Sequence, residues 1–130
     1  MERVGEKHYR ATNANGDTIE FGAGEGLLSP VELLLAAVAG CAAVDVDVVT
    51  SRRSEPERFT VDVEGDRVLE QGASRLASVR ALFDVRFPDD EKGKQAESMV
   101  ERLVAISHDK ECTVSRTVAN PTEVTFEVKK

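Results

Sequence analysis

The segment Ser29–Arg53 constrains the fold more than any other part of the sequence, because it predicts a helix that is apolar on all sides. Ser29 can cap this helix, Pro30 takes the favoured first helical position, and Glu32 falls where a capping box needs an acidic residue. The apolar residues that follow wrap around the helix instead of forming one stripe, so it has to be covered on several sides. A chain of 130 residues offers too little cover by itself. The segment therefore predicts a buried central helix and a homodimer.

The same segment does not predict a membrane-spanning helix. A helix needs about 20 apolar residues to cross a bilayer. The apolar stretch Val31–Val44 is shorter, contains Glu32, and is followed directly by Asp45 and Asp47. The first residues, Met1–Gly5, also lack the charged-then-apolar order of a signal peptide. We therefore expect a cytoplasmic protein that does not bind membranes.

Strand patterns flank the predicted helix on both sides. Lys7–Ala11 and Asp17–Phe21 predict two short strands around an Asn-Gly turn. Phe59–Glu64 and Leu76–Phe87 alternate apolar and polar residues with a period of two, which predicts two antiparallel neighbours. The glycine-rich stretch before the helix is followed by no lysine of a phosphate-binding loop, so we interpret it as a flexible connection: Gly22, Gly24 and Gly26.

The remaining elements complete one α+β domain over residues 1–130. Gly65-Asp66 is expected to turn or bend the chain between the two later strands. Pro88–Asp90 begins an amphipathic helix whose apolar residues recur at a spacing of three and four. Thr122–Val128 alternates again, which predicts a closing strand. The predicted order is ββαββαβ with mainly antiparallel pairing, and the 41% hydrophobic content fits a single core.

Composition argues against several kinds of partner and site. The net charge of -7, with both signs well represented, provides no basic field to attract a nucleic acid. No close ligand pair such as Cys-x-x-Cys occurs, so we expect neither a metal nor another cofactor. His108 falls in the last turn of the second predicted helix, where it is expected to complement the helix dipole. No Gly-x-Ser-x-Gly motif supports a serine hydrolase.

Two cysteines, Cys41 and Cys112, are the main candidate functional residues. Cys41 lies about three turns into the predicted helix, where a cysteine is either a small apolar packing residue or a reactive thiol. Cys112 lies in the polar stretch His108–Arg116, so we expect its side chain to be accessible. In a reducing compartment the two are either free thiols or a catalytic pair.

Glu32 is a third candidate, with two interpretations. Its place in the capping box explains this residue well. A catalytic role would require its side chain to project toward Cys41, which is nine residues later and about 13 Å further along a straight helix. Any cooperation between Glu32 and Cys41 would therefore depend on tertiary or dimer geometry.

The segment Ser29–Cys41 resembles the central-helix signature of the OsmC/Ohr hydroperoxide-reductase family, in which a proline, an acidic residue, an alanine-rich apolar helix and a cysteine follow one another. The segment Cys112–Thr117 resembles the second cysteine motif of that family, and the order of elements matches over almost the whole chain. No Gly-Gly-Arg-like stretch precedes the helix, although Arg3 and Arg10 are candidate substitutes. Glu32 precedes the cysteine by nine residues, as in the less characterised OsmC-like branch rather than in Ohr itself.

The resemblance implies an intertwined homodimer in which sheets from both subunits wrap two long central helices. It also implies a thiol-dependent peroxidase, with Cys41 as the peroxidatic thiol, Cys112 as the resolving thiol and Glu32 beside them. The implied substrate is a small organic hydroperoxide, and a dithiol would reduce the resulting disulfide. To bridge without backbone movement, the two cysteines would need Cα atoms within about 7 Å.

Two alternatives share the same fold. One is a non-catalytic OsmC-like stress protein that binds a small apolar ligand at the dimer groove. The other is a redox sensor that forms the Cys41–Cys112 disulfide slowly and without turnover. The enzymatic hypothesis predicts peroxide consumption that depends on Cys41, whereas the first alternative predicts no disulfide after peroxide treatment.

Overall fold

The computed structural model describes residues 1–129, which form strands, a long helix, two further strands and two helices. The elements are β1 (Glu2–Gly5), β2 (His8–Thr12), β3 (Thr18–Gly22), α1 (Pro30–Thr50), β4 (Arg58–Glu70), β5 (Ala73–Arg86), α2 (Glu91–Ile106), a π-helical turn (Ser107–Glu111) and α3 (Thr113–Ala119). The chain divides into two compact units, residues 1–36 and residues 37–130. The mixed α+β class predicted from the sequence is confirmed.

The N-terminal unit contains an antiparallel sheet with the strand order β1-β2-β3. The predicted hairpin is confirmed as β2 and β3, which pair from His8↔Gly22 to Thr12↔Thr18. At the turn, the Asn13 side-chain oxygen accepts hydrogen bonds from the backbone of Asn15 at 2.9 Å and of Asp17 at 3.0 Å. The sequence did not predict β1, because this strand has four residues and no apolar-polar alternation.

Gly22 has a more definite role than the flexible connection predicted for it. A Cβ atom at this position would lie 1.9 Å from the carbonyl oxygen of Lys7. The adjacent Ala23 N–H donates to that same oxygen over 2.8 Å. Only glycine permits this close backbone approach, so Gly22 fixes the end of β3 against the β1–β2 turn.

Helix α1 begins as the sequence predicts. The Ser29 N–H donates to the Glu32 carboxylate over 2.9 Å, and the Glu32 N–H donates to the Ser29 hydroxyl over 3.1 Å. This reciprocal pair is a capping box. The helix ends at Thr50, three residues before the predicted end at Arg53, and its 21 residues span about 30 Å.

The long helix is only partly buried within the single chain, and its predicted burial in a dimer stays a prediction. Its buried residues are Ala39, Val46 and Thr50, whereas Val44 is 61% exposed. Only 17% of its most apolar part is buried. By length and composition this helix could cross a membrane, so the length argument against a span was wrong. The exposed apolar surface requires a cover that the described chain does not supply.

The C-terminal unit contains a long antiparallel hairpin of β4 and β5, as predicted for these two segments. The turn lies at Gln71-Gly72, where both residues have positive φ, at 50° and 79°. Two consecutive residues of this kind are typical of a tight hairpin turn that matches the strand twist. Gly65-Asp66, predicted to turn or bend the chain, instead lies within β4, and a register shift follows between Asp66 and Arg67.

Helix α2 follows β5 and begins at the predicted place. Its N-cap Asp90 accepts a hydrogen bond from the Gly93 N–H over 2.7 Å. Beyond α2 and α3, the predicted closing strand is absent, because Thr122–Val128 forms no strand in the described chain. Its apolar side chains remain exposed, with Phe126 at 93%. Alternating residues form a strand only when they pair in register with a sheet edge, and within residues 1–129 this segment pairs with neither β4 nor β5.

Candidate active site

The two cysteines lie on different elements of the C-terminal unit. Cys41 is half-buried on α1. Cys112 is 0% exposed and forms the N-cap of α3. The prediction that Cys112 is accessible was therefore wrong. The charged residues 108–111 of the π-helical turn all face outward, and Cys112, directly after them, faces inward.

The structure places the two thiols close enough for each to affect the pKa of the other, although they are far apart in the sequence. Both cysteines are free. Two reduced thiols in contact can lose their hydrogens and form a disulfide, whereas two isolated packing cysteines cannot. Of the interpretations left open by the sequence, this geometry favours a thiol pair over two packing residues.

The hydrogen bonds around Cys112 favour its thiolate. Burial raises the pKa of the Cys112 thiol, but hydrogen bonds from Cys41, Ser115 and Val114 together lower it below its usual value. The Ser115 N–H lies 3.3 Å from the Cys112 Sγ atom. Negative charge in the pair is therefore stabilised at the buried sulfur.

Cys41 is affected in the opposite direction. Its hydrogen bond to Cys112 raises the pKa of the Cys41 thiol, a backbone hydrogen bond with Val114 lowers it, and burial and the negative charge of Asp45 raise it again. The net pKa lies above the usual value. When the pair loses one proton, Cys112 is therefore favoured to lose it before Cys41.

A hydrogen bond that the sequence did not reveal joins α1 to the π-helical turn. The Ser107 hydroxyl donates to Asp45 Oδ2 over 2.6 Å. Ser107 is 1% exposed, and its carbonyl accepts the Cys112 N–H over 2.8 Å. The only sequence signal is that Asp45 lies four residues after Cys41, on the same side of the helix.

Glu32 lies in the N-terminal unit and is occupied by the capping box. Hydrogen bonds from the backbone and side chain of Ser29 lower the pKa of its carboxyl. The cap thus accounts for its position, and its catalytic role stays a prediction. Arg10, one of the candidate arginines, pairs with Glu2 at 3.4 Å and with Glu20 at 3.8 Å on the N-terminal sheet.

The described residues do not form a set of side chains that could bind a metal ion. In residues 1–129, no group of three or more His, Cys, Asp and Glu side chains is arranged so that it could hold a metal ion. The exposed His108 contacts the neighbouring Asp109 at 3.0 Å. The candidate site consists of two thiols, one carboxylate and the surrounding hydrogen bonds.

Solved structures share this fold. A hypothetical protein from Aquifex aeolicus is 23% identical with a TM-score of 0.69, covering 91% of this chain and 83% of its own. An OsmC-like protein of unknown function from Vibrio cholerae is 17% identical with a TM-score of 0.66, covering 85% and 78%. An OsmC-like hydroperoxide resistance protein from Jannaschia is 14% identical with a TM-score of 0.57, covering 98% and 88%.

The family model agrees with the structural comparison. No curated protein sequence matches the chain. The model described as OsmC-like protein matches residues 22–127, which include α1, both cysteines and the β4–β5 hairpin. These residues make up most of the chain. The protein therefore belongs to the OsmC-like protein family.

Proposed function

We propose that the protein reduces small organic hydroperoxides through a disulfide between Cys41 and Cys112. The observation that carries the proposal is the proximity of two free thiols from distant parts of the chain. The hydroperoxide resistance named for the Jannaschia relative supports the choice of substrate.

Accessibility supports Cys41 as the thiol that meets the peroxide. Cys41 is half-buried, whereas Cys112 has no exposed surface. Of the two cysteines, Cys41 is therefore the one that a peroxide can reach more readily. The exposed apolar surface of α1 favours an uncharged organic peroxide over an ionic one.

The proton balance of the pair suggests how Cys41 becomes a nucleophile. The Cys112 thiolate accepts the Cys41 proton along their hydrogen bond, and the Cys41 thiolate then attacks the terminal oxygen of the peroxide. The S–O bond forms while the O–O bond breaks. The alkoxide leaves as the alcohol after taking a proton from Cys112 or from water, so that Cys41 becomes a sulfenic acid.

The second step closes the disulfide. The Cys112 thiolate attacks the Cys41 sulfur, the S–S bond forms, and the S–O bond breaks to release hydroxide, which water or buffer protonates. Two thiols and one hydroperoxide thus give one disulfide, one alcohol and one water. A dithiol reductant restores both thiols by exchange. The lowered pKa of the Cys112 thiol favours this step because the attacking group is a thiolate.

We further propose that the chain acts as a cytoplasmic homodimer. The exposed apolar surface of α1 and the unpaired segment Thr122–Val128 support this, because a second copy offers both a helix to pack against and a sheet edge to join. A reducing compartment suits a protein whose thiols must return to the free state.

The test is peroxide consumption with a dithiol reductant and cumene hydroperoxide as substrate. We expect turnover in the wild type and its loss in Cys41→Ser. Without reductant, Cys112→Ser should accumulate a Cys41 sulfenic acid and form no intramolecular disulfide. Circular dichroism would establish that both variants are folded. No turnover in the wild type, or full turnover in Cys41→Ser, would contradict the proposal.

One observation favours the redox sensor as a second candidate. The raised pKa of the Cys41 thiol and the nearby negative charge of Asp45 both slow attack on a peroxide. A sensor would lose two hydrogens once, slowly and stoichiometrically, when intact mass is followed with limiting peroxide. An enzyme would consume many equivalents of peroxide when reductant is present.

A further inference from the structure

A hydrogen bond between Asp45 and Ser107 joins the helix that carries Cys41 to the turn that leads to Cys112. It spans 62 positions of the sequence and measures 2.6 Å between Ser107 Oγ and Asp45 Oδ2. Ser107 is buried and Asp45 is half-buried. A hydrogen bond to a carboxylate is about twice as strong as one between neutral groups. It can therefore hold two elements in a fixed register.

Each end of this bond leads directly to a cysteine. Asp45 lies one helical turn after Cys41 on the same side of α1. Ser107 begins the π-helical turn, and its carbonyl accepts the Cys112 N–H that closes this turn. The approach of the two thiols thus depends on a chain of two short hydrogen bonds, from Asp45 to Ser107 and from Ser107 to Cys112.

We infer that Asp45 and Ser107 are positioning residues whose hydrogen bond holds the π-helical turn where Cys112 reaches Cys41. The inference rests on the proposed disulfide chemistry, but it concerns closure of the disulfide and not the reaction with peroxide. Without the bond, the turn samples other positions and the two sulfurs spend less time in reach of each other. Closure within one chain is sensitive to such losses of orientation.

Asp45 has two effects that substitutions can separate. Its carboxylate accepts the Ser107 hydroxyl, and its negative charge adds to the Cys112 interactions that raise the pKa of the Cys41 thiol, against a backbone hydrogen bond with Val114. Asp45→Asn keeps an acceptor oxygen and removes the charge. Ser107→Ala keeps the charge and removes the bond. Asp45→Ala removes both.

Closure can be measured without peroxide by using diamide as the oxidant. One thiolate adds to the N=N bond of diamide, and the second thiolate attacks the sulfur of this adduct. The S–N bond breaks, the S–S bond forms, and diamide leaves as the hydrazine carrying both hydrogens. In the full-length protein with excess diamide, quenched intact-mass measurements follow the decay of the adduct to the species lacking two hydrogens.

We expect Ser107→Ala to slow closure about tenfold, as for the loss of a buried hydrogen bond to a charged group. The pH midpoint of adduct formation at Cys41 should not shift. Asp45→Asn keeps a weaker, neutral hydrogen bond, so it is expected to close faster than Asp45→Ala, with the pH midpoint of adduct formation at Cys41 moved to lower pH. Asp45→Ala should share that shift but close slowly. Asp47→Asn is the matched control, because Asp47 is exposed on the same helix, and it should change neither quantity.

The outcomes separate this inference from the proposed function. A folded Ser107→Ala that closes at the wild-type rate would overturn it, and so would Asp45→Asn closing as slowly as Asp45→Ala. If Ser107→Ala does not fold, the two Asp45 variants decide alone, since they differ in the acceptor and share the lost charge. Failure of the wild type to close with diamide also overturns the inference. Absence of peroxide turnover overturns only the proposed function.

Discussion

Helix α1 is held by polar contacts of two kinds, one at its start and one in its second half. At the start, Ser29 and Glu32 satisfy each other within four residues, and Glu32 is exposed. In the second half, Asp45 bonds to the buried Ser107 from a distant part of the chain. A local cap stabilises the helix wherever it lies, whereas the distant contact also fixes what lies next to it. Only the second kind can bring Cys112 to Cys41.

The largest expected effect on stability separates these two contacts directly. Asp45→Ala leaves the buried Ser107 hydroxyl without its partner and should lower the free energy of unfolding by about 2 kcal/mol. Urea denaturation monitored by circular dichroism would measure it. Asp47→Ala, on the exposed side, should stay within about 0.5 kcal/mol of the wild type. Equal losses for the two variants would mean that the Asp45–Ser107 hydrogen bond adds no more to the free energy of unfolding than an exposed residue does.

A smaller effect is expected at the start of the helix. Ser29→Ala removes the cap and should lower the free energy of unfolding by about 1 kcal/mol. Glu32→Ala breaks the same box from the other side and should also destabilise the helix. If Glu32 only caps the helix, the two variants will retain similar peroxide turnover per folded molecule. A selective loss of turnover in Glu32→Ala would instead show a catalytic contribution, as the family resemblance implies.

The smallest effect concerns protonation, with little change in stability. Cys112→Ala removes the hydrogen bond and the charge that raise the pKa of the Cys41 thiol, so Cys41 should lose its proton at a lower pH than in the wild type. Cys41→Ala removes a donor to Cys112, so the pKa of the Cys112 thiol should rise. The ultraviolet absorbance of the thiolate, followed during a pH titration, measures both pKa values. Unchanged or opposite shifts would mean that the two thiols do not share a proton.

The sequence predicted contacts that depend on neighbouring residues. The capping box of Ser29 and Glu32 and the β2–β3 hairpin could be predicted because a short, specific pattern encodes each. Asp45 and Ser107 could not be paired, since nothing in a sequence marks two residues 62 positions apart as partners. The closing strand at Thr122–Val128 failed for a related reason, because the alternation of a strand does not specify the edge that it joins.

The cysteine pair shows both what the sequence could predict and what it could not. The family resemblance implied that Cys41 and Cys112 act as a pair, and the structure places the two cysteines close together. The polar stretch before Cys112 nevertheless suggested an accessible thiol. Polar composition indicates which residues meet water, but it does not give the direction of the next side chain when the chain leaves a helix.

The π-helical turn also bears on which changes of length the chain can tolerate. Its hydrogen bond from Cys112 to Ser107 closes over five residues, one more than an α-helical turn. The four residues between them are exposed, so many substitutions there should be neutral. Deleting any one of them would tighten the turn and rotate the following side chain by about 100°, directing the Cys112 thiol away from Cys41. This short stretch should therefore be free to vary in composition while its length stays constant.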